Sequence, residues 1–166
     1  LYSEAMTDNA YTKQPNDFTQ NIGNGSYSTA DSYVKQVWDG RYTGIRMCNQ
    51  LLENIDRVPD LDPELKKRYI GEAKVLRAYN YYELYTKFGD VPYTTKVLSI
   101  KESMSIARTD RATVIANMLA DLDEVINGNY LPASYDADNK GRITRWAAKA
   151  IKAKIYLFEG NWTQVK

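Results

Sequence analysis

Histidine is absent from the 166 residues, and with it go Ser-His and Cys-His nucleophile pairs and every histidine-ligated zinc site. The single cysteine, Cys48, excludes an intrachain disulfide. It lies in the helical pattern Met47-Cys48-Asn49 and reads as a small buried hydrophobe, not a reactive thiol. No apolar run approaches the roughly 20 residues needed to cross a bilayer. Neither sign of charge is in excess, with 22 Lys and Arg against 21 Asp and Glu, which argues against a nucleic-acid partner. No signal-peptide pattern opens the chain. It starts at Leu1 and not at Met, so a mature or trimmed piece is expected and its compartment stays open.

What is present is an ordinary globular balance, 43% apolar and 26% charged, at a length that can bury one real core. The aromatics are lopsided: 14 Tyr and 3 Trp against 3 Phe. Rings with a polar tip suit surfaces that are both apolar and wet. The densest aromatic stretch, Tyr69–Tyr93, organises the rest. Its apolar residues cover nearly every azimuth of a helix, which predicts burial between several neighbours. Gly71, Ala73 and Ala78 leave room there for a close approach, and nothing in the stretch is catalytic by itself.

Residues 1–30 show no sustained periodicity, carry Pro15 and Asn21-Ile22-Gly23-Asn24-Gly25, and read as a long irregular segment. Tyr2, Tyr11, Phe18 and Tyr27 argue for an ordered loop laid over helices. A first helix spans about 31–57, with Val34, Trp38, Ile45, Cys48, Leu52 and Ile55 at three-to-four spacing. Gly40 and Gly44 on one face predict close contact, and Val58-Pro59 ends it. Asp62-Pro63-Glu64 restarts the chain as N-cap, first-turn proline and dipole-matched acid. The second helix then runs to Phe88, where Gly89 and Pro92 stop it. A polar connection covers 94–110, a third helix 111–126, and a second long loop 129–143. A fourth helix follows Thr144 to about Glu159, and a further helical pattern begins at Asn161. The fold class is all-α: stacked helical hairpins of tetratricopeptide type, with a long irregular N-terminal segment and loops. Such repeats need about three units for stability, so two pairs and a started fifth helix predict the front end of something larger.

Three blocks carry a family resemblance. Gly71-Glu72-Ala73-Lys74-Val75-Leu76-Arg77-Ala78-Tyr79, continuing to Leu84 and then Phe88-Gly89-Asp90-Val91-Pro92, closely resembles the GEARFLRAYYYFDLVRLFGDVPL block of SusD/RagB-type proteins. Trp38 through Asn49 is similar to that family's W…Y..I..CN helix. Gly141-Arg142-Ile143-Thr144-Arg145-Trp146, on to Tyr156-Leu157 and Gly160-Asn161-Trp162, is similar to its GRATKAAALALKARVYLY.GNW block, and Asp121-Leu122 with Leu131-Pro132 to its DL…LP pair. The resemblance implies a non-enzymatic nutrient-uptake protein of polysaccharide utilisation. It would bind oligo- or polysaccharide, be lipid-anchored on the outer-membrane surface, and partner a SusC-like TonB-dependent transporter. The chain, 1–166, would be the N-terminal portion of a longer protein, with 1–30 a loop segment and 31–166 the helical scaffold; the anchoring cysteine is missing from it. No cofactor or metal is implied.

Sugar binding needs flat aromatic faces and planar polar side chains. The opening region offers Asp8, Asn9, Tyr11, Gln14, Asn24, Tyr27 and Tyr33, with Trp38 and Arg41 entering the first helix. Trp38 sits on the apolar stripe and reads as core before sugar platform, and Trp146 and Trp162 read as helix-packing residues. Lys66, Lys67 and Arg68 read as a solvated face, while Glu72 and Arg77 should find partners within or between helices. Asp136-Ala137-Asp138 resembles the opening of a calcium loop, but Lys140 at position five and Ala147 at position twelve fit it poorly, and a polar turn is the better reading. Glycoside hydrolysis would need paired carboxylates, and nothing pairs Asp8, Asp136 and Asp138. The rival to glycan binding is a tetratricopeptide-type adaptor that binds only protein.

Overall fold

The computed structural model describes residues 2–13 and 18–165; Gln14 and Pro15 lie outside them. The chain forms two compact units, Leu1–Gly40 and Arg41–Lys166.

In the first unit α1 (Tyr2–Ala5) lies against α2 (Phe18–Gly23). Thr19 is fully buried, its hydroxyl sharing a hydrogen with that of Thr12 at 3.1 Å, and Gln20 Nε2 donates to Thr12 O at 2.7 Å. The segment expected to be irregular therefore contains two short helices. Elements of 4 and 6 residues are too short to show a hydrophobic period, and FTQNIG has no apolar stripe to show. Gly25 then turns the chain at φ 75°, a left-handed value that a Cβ would disfavour. The long α3 (Ser32–Asn54) starts in this unit, where Tyr33 stacks on Phe18 at 4.3 Å, and continues into the second.

The second unit holds α4 (Pro63–Phe88), α5 (Ile100–Ser105), α6 (Arg111–Asn127) and α7 (Arg145–Phe158). A 3-10 turn, Ile55–Arg57, finishes α3. Each main helix starts on the cap its sequence supplies: Asp62 accepts from Leu65 N–H, Asp110 from Thr113 N–H and Thr144 from Ala147 N–H. α4 ends on Gly89 at φ 67°. α4 rests on α6, α6 on α7, and α4 also reaches α7. The core is Val75, Ala78, Tyr81 and Leu84 of α4, Val114, Met118, Leu122 and Val125 of α6, and Ala148 and Ile155 of α7, with Ile45 from α3.

The burial of α4 on several sides explains its lack of a single apolar stripe. Val91 and Thr109 exchange backbone hydrogen bonds and close the connection after α4 into a loop. Tyr81 holds that loop down: its hydroxyl accepts from Thr94 N–H at 2.8 Å and donates to Thr94 O at 2.9 Å. Inside the loop sits α5, a helix absent from the sequence reading, started by a reciprocal capping box between Ser99 and Glu102.

Several expectations are corrected. A Cβ on Gly44 would come within 2.8 Å of Asn80, as a close contact requires, but Gly40 faces nothing within 4 Å. Trp146 and Trp162 are 55% and 67% exposed. Trp146 turns outward with Lys149 over its ring, and Trp162 belongs to a 3-10 turn, Trp162–Gln164, instead of a new α-helix. Leu76 is also exposed, so α4, though buried on several sides, keeps one apolar residue facing solvent. Lys66, Lys67 and Arg68 are half-buried, with Lys66 paired to Asp56 and Lys67 over the Tyr130 ring.

Candidate functional site

The expected sugar-contacting residues divide by surroundings. Tyr11 and Asn24 come together in a hollow of about 240 Å³, lined also by Thr7, Ala10, Thr19, Gln20 and Gly23. Tyr11 is 81% exposed, so its ring has an open face. The side-chain oxygen of Asn24 accepts from Ser26 N–H at 2.9 Å and Ser26 Oγ at 2.6 Å, which fixes the amide and directs its NH₂ as a donor. Asn9 is held similarly, its N–H on Thr7 Oγ1 and its Nδ2 on Glu4 Oε2 at 3.3 Å. The hollow is smaller than the roughly 300 Å³ typical of closed ligand pockets, a size for one ring of a longer chain.

The other candidates lie elsewhere. Asp8 and Tyr27 are exposed and line no hollow with Tyr11. One face of Tyr33 is covered by Phe18, and Trp38 is half-buried on α3. Arg41 turns to α4, 3.6 Å from Glu83 and over the Tyr79 ring at 5.7 Å. Thr7, Thr19 and Gln20 escaped the sequence reading. Their only signal is polarity, Thr19 and Gln20 in a six-residue helix and Thr7 in the turn after α1, and any loop shares it.

The helical unit carries a second hollow of about 440 Å³ between α3 and the loop 94–103, lined by Tyr42, Arg46, Asn49, Thr94, Leu98 and Ile100 among others. Tyr42 donates to Pro92 O at 2.8 Å. Burial pushes the hydroxyls of Tyr42 and Tyr81 above the usual tyrosine range and that of Tyr93 up to about 12. All three are neutral phenols at physiological pH, suited to hydrogen bonding and not to proton abstraction.

Beneath this hollow lies the strongest polar cluster. Arg77 forks onto Asp121 of α6, through Nε at 3.0 Å and Nη2 at 2.7 Å, and gives Nη1 to Asn49 Oδ1 of α3 at 2.9 Å. Asn49 passes its own NH₂ to Thr94 O and Lys96 O. Glu72 takes Arg142 in the same bidentate way, at 2.9 and 2.7 Å, and so pins the 135–143 loop to α4. Asp136 caps its own turn, accepting from Asn139 N–H and Nδ2, and those bonds hold its carboxyl below the usual range. Among the described residues no three acidic or cysteine side chains cluster as metal ligands.

These features define an all-α, tetratricopeptide-like scaffold cross-tied by buried ion pairs, with its open aromatic residues outside the ties. The sequence profile of the SusD-like family, described as "Starch-binding associating with outer membrane", matches residues 1–157. The chain belongs to that family. A SusD-like protein of Formosa agariphila is 30% identical over 129 residues, 78% of this chain and 24% of that protein. A crystal structure of a SusD-like protein from Bacteroides fragilis superposes with TM-score 0.85 at 29% identity, covering 99% of this chain and 32% of that one. A laminarin-binding SusD-like protein superposes with TM-score 0.81 at 32% identity, over 89% of this chain and 31% of that one. The chain thus spans 24–32% of the length of these relatives. No helix among the described residues is long and apolar enough to cross a membrane.

Proposed function

We propose that this chain is the N-terminal helical portion of a non-catalytic glycan-binding protein of the outer-membrane surface. Its helical unit is the scaffold, and the residues around Tyr11 and Asn24, with Asp8, Asn9, Tyr27, Tyr33 and Trp38 nearby in sequence, contribute part of the sugar contact. A lipid anchor would hold the full protein at the membrane, and a SusC-like TonB-dependent transporter would receive the ligand. Family membership and the laminarin-binding neighbour support the ligand class. The observation that carries the local reading is the open ring of Tyr11 beside the fixed amide donor of Asn24. An exposed aromatic face next to oriented donors is what a pyranose needs.

Affinity electrophoresis of the full-length protein through gels containing laminarin, starch and acidic polysaccharides tests the reading. Retardation by one glycan, lost in Tyr11→Ala, is expected. No retardation on any gel would contradict the glycan reading and favour the protein-binding adaptor. The transporter partnership is tested separately, by co-purification from outer membranes.

A further inference from the structure

The chain holds two Asn-Gly pairs, Asn24-Gly25 and Asn127-Gly128. In such a pair the glycine has no side chain to keep its amide nitrogen away from the asparagine Cγ. The fold treats the two differently. Asn127 is the last residue of α6, and Gly128 keeps helical angles, φ −75° and ψ −4°. The Gly128 N–H donates to Glu124 O at 2.9 Å, and the Tyr130 ring fills the space where a Cβ would stand. Asn24 instead lies just past the six-residue α2, in an exposed turn. Gly25 sits at φ 75° with nothing within 4 Å of a Cβ position, so this turn moves without breaking a packed contact. Its N–H donates to Ile22 O at 3.2 Å, three residues back, the poorer 3-10 geometry. Asn24 Oδ1 accepts from both Ser26 N–H and Ser26 Oγ, at 2.9 and 2.6 Å. Two donors on one amide oxygen draw charge from Cγ and stand ready for the oxyanion that forms when Cγ is attacked.

We propose that Asn24 is a site of spontaneous deamidation, a reaction that replaces an amide donor of the candidate sugar site by a carboxylate. Hydroxide removes the Gly25 amide proton. The nitrogen attacks Asn24 Cγ, and the new N–Cγ bond closes a succinimide ring. The Cγ–NH₂ bond breaks, and the amino group takes a proton from water and leaves as ammonia. Another water opens the ring at one of its two carbonyls and gives aspartate or isoaspartate. Water is the sole co-reactant, and nothing is oxidised or reduced. At Asn127 the same approach must first unwind the last turn of α6, which opens far less often than an exposed turn. The product at Asn24 differs from asparagine in ways that matter at the surface. Its carboxylate accepts and no longer donates, and it adds a negative charge to the hollow that Tyr11 lines. The isoaspartate form also lengthens the main chain by one carbon, within the turn that Tyr27 N–H closes on Asn21 O at 3.1 Å. The consequence for sugar rests on the function proposed above; the deamidation itself does not.

The test is peptide mapping by mass spectrometry of the full-length protein aged in mildly alkaline buffer, both folded and in urea. In the folded protein the Asn24 peptide should gain the mass of an amide-to-acid exchange and split into aspartate and isoaspartate forms. The Asn127 peptide should keep its amide. In urea both should convert. Gly25→Ala should slow conversion at Asn24 several-fold, because a Cβ then crowds the attacking nitrogen. An unconverted Asn24, or equal conversion of both sites in the folded protein, would overturn the proposal. The aged protein and Asn24→Asp should bind the glycan that retards fresh protein several-fold more weakly, with an unchanged melting temperature. Conversion without loss of affinity would leave the modification standing and overturn its tie to the sugar contact.

Discussion

The helical unit and the first forty residues use polar side chains in opposite ways. In the helical unit Arg77, Asp121, Asn49, Glu72 and Arg142 point inward or across seams, each satisfied by a partner from another element. In the first unit Asn9 and Asn24 bond within a few residues of themselves, and Tyr11 and Tyr27 face out. Long-range polar ties fix how helices meet; short-range ones fix only a side chain's direction. The first arrangement builds a scaffold, and the second leaves prepared groups on a surface.

Breaking the scaffold should cost most at Arg77. Its side chain is 6% exposed and that of Asp121 12%, so Arg77→Ala leaves a nearly buried carboxylate that has lost its bidentate partner and keeps only Lys74, 3.8 Å away. A loss of about 3–5 kcal/mol is expected, read by urea denaturation. Gly71→Ala comes next. The added Cβ would sit 2.8 Å from Tyr130 Cβ, which is tied to the backbone and cannot swing away, and 3.1 Å from Leu131 Cδ2, a methyl of a buried side chain. Overpacking there should cost about 1–3 kcal/mol, measured the same way.

Smaller effects belong to the rim. Lys74 hydrogen-bonds Glu124 and lowers its carboxyl pKa below the usual value. With the folded value below the unfolded one, the pair stabilises the fold above the unfolded pKa. That stabilisation is lost as pH falls through the folded value. Lys74→Met should flatten the acid side of the stability–pH curve, and a carboxyl NMR titration should move Glu124 back upward.

The same contrast decides what was legible in the sequence. α4 announces both its ends, by Asp62-Pro63 and by Gly89, and its bounds fall where those residues put them. Glu72 and Arg77 amid apolar neighbours required partners, and each has one. The partner's identity was not legible, because Asp121 and Arg142 lie 44 and 70 residues away. α1, α2 and α5 are too short for periodicity, although Ser99 and Glu102 at cap spacing signalled α5. Trp146 and Trp162 were misjudged because aromatic character does not say which helix face has a neighbour. Asn24-Gly25 and Asn127-Gly128 read alike along the chain; only an exposed turn and a helix end set them apart. At the first candidate site, composition pointed to Tyr11 and Asn24, while Thr7 and Gln20 needed the fold of residues 2–24.

The central claim is that sugar contact at Tyr11 is separable from the stability of the scaffold. One paired measurement tests it: melting temperature and calorimetric affinity of the full-length protein and its Tyr11→Ala variant, with whichever glycan retards the unaltered protein. An exposed ring removed from a surface should change stability by no more than about 0.5 kcal/mol. An unchanged melting temperature with affinity reduced several-fold or more is the predicted result. Unchanged affinity would contradict it and leave the first forty residues without the role assigned to them.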